Sequence, residues 1–181
     1  MKKTHHSRQL EGILCVDKPQ DWTSFDVVAK MRGIADCHKI GHGGTLDPMA
    51  TGVLPLFFGT ATKACSILPN EDKRYAASLR LGMTTDTEDI TGKILSEAPS
   101  AVTEERFRAV AAEFVGALMQ TPPMYSAVKV GGRPLYDLAR KGREVERPAK
   151  EIRVYSLDVT AFDEEAQTAQ IEVFCGKGTY I

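Results

Sequence analysis

Apolar positions recur along this chain with two different spacings. Gly12-Ile13-Leu14-Cys15-Val16-Asp17 is a short apolar run closed by Lys18-Pro19, which predicts a buried strand. Thr23 and Ser24 both offer helix caps, and Val27, Met31 and Ile34, with Val28 beside them, follow at helical spacing, so the pattern predicts a helix over 24–35. The apolar run over 52–58 predicts another buried strand, kinked at Pro55, and 60–68 a short helix stopped by Pro69-Asn70.

Over 73–81 the alternation of Tyr75, Ala77, Leu79 and Leu81 on one face predicts a strand, followed by turn chemistry rich in Thr and Asp over 82–92. Thr103 can cap a helix, with Val102 placed to pack on Phe107, and Phe107, Val110, Ala111, Phe114 and Leu118 form its apolar stripe up to Thr121-Pro122-Pro123. A strand over 125–130, a turn at Gly131-Gly132 and a short helix come next, with Pro134 in the helix's first turn and Gly142 at its end. Alternating strands over 152–161 and 169–175 are joined by an acidic turn near Asp163. Without regular βαβ alternation, this order predicts an α+β fold with a mixed, mainly antiparallel sheet flanked by helices.

Composition narrows the class. At 181 residues, with 43% apolar and 26% charged positions, the chain has the size and balance of one soluble globular domain, 1–181. No apolar run reaches membrane-spanning length, and the basic start, Met1 to Arg8, is not followed by an apolar signal core, so a cytoplasmic location is expected. The cysteines Cys15, Cys37, Cys65 and Cys175 are scattered without a C-x-x-C pair, and Cys37, His38 and His42 have no second cluster to complete a metal site. A net charge of −1 does not announce a nucleic-acid partner, but the charge is unevenly placed. Lys129, Arg133, Arg140, Lys141 and Arg143 gather against Asp137 alone, either as a solvated face or as a binding strip.

The stretch from Gly41 to Pro55 is the densest in chemistry. Gly41, Gly43, Gly44 and Gly52 permit close approach of a ligand to backbone, and Pro48 pushes Asp47 away from helix, so Asp47 is presented on a stiff loop. Such a carboxylate suits nucleophilic or general-base work, while Gly-Gly and Asp-Pro also mark ordinary turns.

The order Gly41-His42-x-Gly44-Thr45-Leu46-Asp47-Pro48-x-Ala50-Thr51-Gly52-Val53-Leu54-Pro55 closely resembles the central motif of the TruB family of tRNA pseudouridine synthases. The resemblance extends along nearly the whole chain. It includes Lys18-Pro19 with Thr23-Ser24, Gly59-x-Ala61-Thr62-Lys63, Lys73-x-Tyr75, and Gly82, Thr85, Asp86, Asp89 and Gly92. It continues in Pro122-Pro123-x-Tyr125-Ser126-Ala127-x-Lys129 with Tyr136, Ala139-Arg140 and Gly142, and in Gly176-Lys177-Gly178-Thr179-Tyr180-Ile181. The motif around Asp47 and the closing one are the most specific; Lys18-Pro19 is weak by itself.

The resemblance implies isomerisation of uridine to pseudouridine in the T-loop of tRNA, at position 55 by convention, without metal, nucleotide or redox cofactor. Asp47 would be the nucleophile, on the pyrimidine ring or on the ribose anomeric carbon. Tyr75 would stack on the target base, His42 would support the flipped RNA loop, and Tyr180 would line the uridine pocket. Aromatic faces offset part of the stacking a flipped base loses. Read from the residues alone, Tyr75 and Tyr180 suit a core as well as a pocket, and His42 suits a turn. Lys129, Arg133, Arg140 and Arg143 would meet the RNA backbone, the partner being the T-arm of tRNA and the protein a monomer with no membrane or metal.

The competing readings each lack a part. An Asp-dependent nucleosidase or glycosidase needs a second carboxylate facing Asp47, and an oxyanion or phosphate loop at Gly41-His42-Gly43-Gly44 needs a partner motif that is absent. A non-catalytic RNA-binding or tRNA-folding module keeps the cations and aromatics and dispenses with Asp47. The chain stops at Gly178-Thr179-Tyr180-Ile181 in what reads as an apolar strand. In the resembling family this motif continues with an arginine that pairs with the catalytic carboxylate, more catalytic domain and commonly a small RNA-binding domain. The expectation is therefore a truncated synthase with little or no activity and an exposed sheet edge.

Overall fold

A helix cap and three short strands organise the first part of the chain. The computed structural model describes residues 10–67, apart from the side chain of Ser66, and residues 72–181; the basic start over 1–8 and the stop at Pro69-Asn70 fall outside the described residues. Strand β1 (Gly12–Lys18) pairs antiparallel with β3 (Gly52–Phe58), and β3 pairs antiparallel with β2 (Ile40–His42), giving the order β1-β3-β2. Helix α1 (Ser24–Ala35) begins at Thr23, whose hydroxyl accepts from the Asp26 N–H at 3.1 Å while the Asp26 carboxylate accepts from the Thr23 N–H at 2.9 Å. This reciprocal cap satisfies two donors that a helix start leaves open. The helix closes on Asp36, in the left-handed region at φ 49°, whose N–H reaches the Arg32 carbonyl.

Strand alternation then decides what is buried. Leu54, Leu56 and Phe58 project from β3 onto one face, where they join Val27, Val28 and Ile40 in a core. Phe57 points to the other face and is also buried. That face carries a 3-10 helix (Gly59–Ser66), since a Cβ placed on Gly41 would touch Thr62 Cγ2 at 3.7 Å and Cys65 Sγ at 3.9 Å. The helix expected over 60–68 is thus of the tighter type. Pro55, where a kink is expected, stands opposite Cys15 in an unbroken register and one residue outside the stretch that pairs with β2, so its lack of an N–H is tolerated there. The expected burial of β1 is also corrected: Ile13 and Leu14 are exposed, and its fully enclosed residue is Lys18.

Contacts divide the chain into two units, Met1–Glu71 and Asp72–Ile181. The second is built on a four-stranded antiparallel sheet, β4 (Lys73–Arg80), β7 (Gly116–Gln120), β10 (Lys150–Asp163) and β11 (Thr168–Cys175), in the order β4-β11-β10-β7. Its inner face gathers Ile152, Val154, Ile171, Val173 and Cys175, with Tyr75, Ala77 and Leu118 against them. Helix α2 (Glu104–Ala112) starts at Thr103 as expected and lies on β10, its Phe107 stacking on Phe162 at 4.8 Å between centroids. Buried Gln167 ties down the approach to this helix, accepting from the Val102 N–H at 2.9 Å and donating to the Val102 carbonyl at 3.0 Å.

The helix expected to run on to Leu118 stops at Ala112. Gly116 takes φ 122°, which no helix accommodates, and Leu118 enters the sheet opposite Ile152 while Phe114 is exposed. The turn-rich stretch over 82–92 contains a strand of its own, β5 (Met83–Thr85), which forms a hairpin with β6 (Ile94–Glu97). The strand expected over 125–130 shrinks to β8 (Lys129–Val130), which pairs with β9 (Arg133–Pro134) around Gly131 and Gly132 at φ 57° and 80°. Two positive φ values in a two-residue turn match the twist of the flanking strands. Pro134 is the N-cap of α3 (Leu135–Ala139) rather than within its first turn. Residues 178–181 are not strand: β11 ends at Cys175, and Gly178 at φ 80° turns the chain out of the sheet. The α+β class holds, and every strand pairing among the described residues is antiparallel.

The cap of α1 has a pH signature. Hydrogen bonds from the Thr23 hydroxyl and N–H hold the Asp26 carboxyl below its ordinary 3.8. The unfolded chain therefore binds this proton more tightly, so the stabilisation is present above pH 3.8 and disappears as pH falls through the lowered value. In thermal unfolding followed against pH, Asp26→Asn is expected to show a shallower acid limb than the parent chain. An identical limb would show that Asp26 titrates alike in the folded and unfolded states.

Candidate active site

The loop that carries Asp47 joins β2 to β3 and is fastened from below by the connection between β1 and α1. Lys18 ends β1 at 0% exposure, and its Nζ donates to the carbonyls of Pro19 at 2.8 Å, Trp22 at 2.6 Å and Pro48 at 3.1 Å. Three donors thus meet three carbonyls, which is what a buried ammonium requires. Burial pushes the Lys18 pKa down from its ordinary value, while the charges of Asp21, Asp47 and Asp26 pull it back up. The Pro48 carbonyl also accepts from the Asp21 N–H at 2.8 Å. On the other side of Asp47, the Ser24 hydroxyl accepts from the Leu46 N–H at 3.0 Å and faces the Leu46 carbonyl as donor at 3.3 Å.

Asp47 itself is exposed, and its carbonyl accepts from the Ala50 N–H at 3.1 Å. It is the one acidic residue between Gly41 and Pro55. His42 closes β2 half-buried, with Nδ1 against the Gly44 carbonyl. A carbonyl can only accept, so Nδ1 is the donor in this contact. The Gly43 N–H to Pro55 carbonyl bond at 2.9 Å anchors the other strand end of the loop. What results is a carboxylate reachable from solvent on a backbone held at its neighbours, suited to attack on an electrophilic carbon.

Tyr75 and Tyr180 belong to the second unit. Tyr75 sits in β4 opposite Val173, half-buried against the inner core of the sheet, and also contributes to a cavity of about 160 Å³ whose walls include Arg74, Asp158, Glu172 and Phe174. Tyr180 lies in the segment after β11, its backbone gripped by Gln120, which donates to the Tyr180 carbonyl at 2.8 Å and accepts from the Tyr180 N–H at 2.9 Å. Lys129, Arg133, Arg140 and Arg143 are all exposed on the β8–β9 hairpin, α3 and the turn after it. That segment has a small core of its own, Met124, Leu135 and Leu138, and Arg140 lies 5.4 Å over the ring of Tyr136. His42 and Asp47 share the first unit, and Tyr75, Tyr180 and the cations share the second.

Residues 32–181 match the TruB family pseudouridylate synthase (N terminal domain). The chain belongs to the TruB family. It is 48% identical over 176 residues to tRNA pseudouridine synthase B of Ralstonia nicotianae, covering 96% of this chain and 56% of that protein. Against tRNA pseudouridine synthase B of Microcystis aeruginosa it is 46% identical over 172 residues, covering 94% of this chain and 58% of the other. The chain therefore spans little more than half the length of these curated relatives. Among solved structures, a crystal structure of a Cbf5-Nop10-Gar1 complex aligns with 99% of this chain and 44% of its own at TM-score 0.69 and 29% identity. A structure of an H/ACA RNP bound to a substrate RNA containing 2'-deoxyuridine aligns with 93% of this chain at TM-score 0.63 and 25% identity.

Sequence reasoning gave Lys18 little weight and did not find Ser24 or Asp21 as supports of the loop. A lysine ending an apolar run just before proline was the available signal for Lys18. Ser24 reads only as a helix cap and as part of the Thr23-Ser24 motif, and Asp21 carries no pattern of its own; the loop contacts of both stay hidden because their partners lie about a helix and a strand away. Lys18→Met leaves the Pro19, Trp22 and Pro48 carbonyls short of a donor. It is expected to destabilise the chain by about 2–3 kcal/mol in urea unfolding. A change below about 0.5 kcal/mol would mean that water replaces the ammonium without loss.

Proposed function

We propose that this chain carries the uridine-to-pseudouridine chemistry of its family, with Asp47 as nucleophile and the T-loop of tRNA as substrate. What supports the reading most is the setting of Asp47: an exposed carboxylate, in the family's most specific motif, on a loop tied down at Leu46 and Pro48. The relatives named tRNA pseudouridine synthase B, and the solved H/ACA RNP bound to a substrate RNA containing 2'-deoxyuridine, favour an RNA substrate.

In this reading the Asp47 carboxylate adds to the ring or to the anomeric carbon, and the bond between the ribose and the ring nitrogen breaks. The base turns, a carbon–carbon bond to the ribose forms, the bond to Asp47 breaks and returns its carboxylate, the proton on the newly bonded ring carbon leaves, and the freed ring nitrogen takes one up. Reactant and product are isomers, so no oxidant, reductant or added water is required. A hydrolytic glycosidase differs in needing a second carboxylate to handle water. Tyr75 stacks on the extruded base, Tyr180 lines the uridine pocket, and His42 supports the flipped loop through its ring. Extrusion is needed because the reacting bond is hidden in a folded RNA loop, and an aromatic face returns about 1–3 kcal/mol per stacked base. The protein acts as a cytoplasmic monomer without a metal.

Asp47→Asn keeps the shape of the side chain and removes its nucleophilicity. Unmodified tRNA transcript is incubated with protein in excess, so that slow conversion is still read, and pseudouridine is mapped chemically. The unsubstituted chain is expected to convert the T-loop uridine slowly, at the little activity expected of it, and Asp47→Asn to give none while binding tRNA within a few-fold. Conversion by Asp47→Asn would remove Asp47 from the mechanism. Binding without conversion by the unsubstituted chain would favour an RNA-binding module.

The cations of the hairpin and α3 meet RNA phosphates in the same reading. Replacing Arg140 and Arg143 together by Ala is expected to weaken tRNA binding. It should also flatten the plot of log Kd against log salt by roughly one unit per lost contact. An unchanged slope would show that these arginines are solvated surface charges.

A further inference from the structure

We propose that Ser24 is a positioning residue for Asp47, aiming the carboxylate by holding the peptide that precedes it. The inference rests on the reading of Asp47 as nucleophile. Ser24 is the first residue of α1 and is 3% exposed. A serine there would ordinarily serve the helix start, but that task is already filled: Thr23 and Asp26 cap α1 reciprocally. The Ser24 hydroxyl turns away from its own helix and meets both backbone groups of Leu46, accepting from the N–H at 3.0 Å and placed to donate to the carbonyl at 3.3 Å. A hydroxyl has one proton and two lone pairs, so this pairing uses its donor and one acceptor site.

The consequence falls on Asp47. The Leu46 carbonyl belongs to the peptide that enters Asp47, and holding it sets the plane from which the Asp47 Cα departs. The next carbonyl, that of Asp47, accepts from the Ala50 N–H at 3.1 Å. The one after, that of Pro48, accepts from Lys18 Nζ at 3.1 Å and from the Asp21 N–H at 2.8 Å. Three successive peptide planes around Asp47 are therefore held, each from a different donor. Lys18 and Asp21 hold the exit, and Ser24 alone among these holds the entrance. Freedom at that entrance passes directly into the direction of the carboxylate, and misplacement by about 1 Å can cost ~10²-fold in rate.

The test compares Ser24→Ala with Thr23→Ala. Ala is a better helix former than Ser and keeps the Thr23–Asp26 cap, so Ser24→Ala is expected to retain α1 and the folded state, with the midpoint lowered only by the loss of the two Leu46 bonds. Thr23→Ala weakens the helix start and leaves the Ser24 hydroxyl in place. In Ser24→Ala the Leu46 amide is expected to exchange with solvent at least tenfold faster, and the backbone order parameter of Asp47 to fall from about 0.85 toward 0.6. The single-turnover rate on tRNA is expected to drop by about tenfold to a hundredfold with tRNA binding unchanged. Thr23→Ala is expected to lower the midpoint while leaving Leu46 exchange, the Asp47 order parameter and the rate at saturating tRNA as in the parent.

Unchanged Leu46 exchange and Asp47 order in Ser24→Ala would overturn the proposal without any appeal to turnover. Loosening of Leu46 with an unchanged rate would show that Asp47 does not feel the hold, and would overturn it too. Equal loosening by Thr23→Ala would reduce Ser24 to part of the general stability of α1. Conversion by Asp47→Asn, measured beside them, would instead defeat the nucleophile reading on which the proposal stands, whatever Leu46 exchange shows.

Discussion

The first unit depends on one buried charge. Lys18 places an ammonium where water cannot reach it, and such a group persists only if its protons are all taken. The three carbonyls that take them come from the residue after it, from the turn before α1 and from the loop that bears Asp47. The lysine thereby joins the end of a strand, the approach to a helix and a glycine-rich loop that has no regular hydrogen bonding of its own. A hydrophobic residue at this position could fill the space but could not orient the Pro48 carbonyl. The electrostatic setting agrees: burial disfavours the charge, and three nearby carboxylates, that of Asp47 among them, favour it.

The same device recurs in the second unit without a charge. Gln120 reads both backbone groups of Tyr180, Gln167 reads both of Val102, and in the first unit Ser24 reads both of Leu46. In each case a side chain supplies the paired donor and acceptor that a neighbouring strand would otherwise supply, and a segment outside the sheets is held in place. Such segments must satisfy their backbone groups somehow, and polar side chains on rigid elements do so at defined positions. The aromatic and basic residues proposed to meet RNA are arranged differently. Tyr75 stands on a sheet with its body against the core, whereas the arginines stand exposed on a small folded segment with its own apolar centre.

Much of this was legible in the order of residues, because it depends on neighbours close in sequence. The start of α1 at Thr23, the end strands over 150–163 and 168–175, and the turn at Gly131-Gly132 each follow from a local cap, alternation or φ preference. The family and the identity of the candidate nucleophile were legible for another reason: the motif around Asp47 is long, gapless and chemically unusual. The misreadings arose where local signals were ambiguous. Apolar residues on both sides of Gly116 suit a longer helix, and it is pairing with β10 that draws Leu118 into a strand. Alternation at the end of the chain suits a strand, yet Gln120 holds Tyr180 outside the sheet.

What the sequence by itself determined is the class of fold, the membership of the TruB family and the presence of a stiff loop at Asp47. What only the tertiary structure decided is how that loop is held. Lys18 reads as part of a weak Lys-Pro motif after an apolar run, and Ser24 as one of two candidate caps in the same motif. Their partners lie across the fold, since Ser24 bonds Leu46 and Lys18 bonds Pro48 only after β1, α1 and β3 have packed. A hydrogen bond between distant segments leaves no period and no propensity in the chain, because its energy depends on where two backbones meet in space rather than on which residues stand side by side.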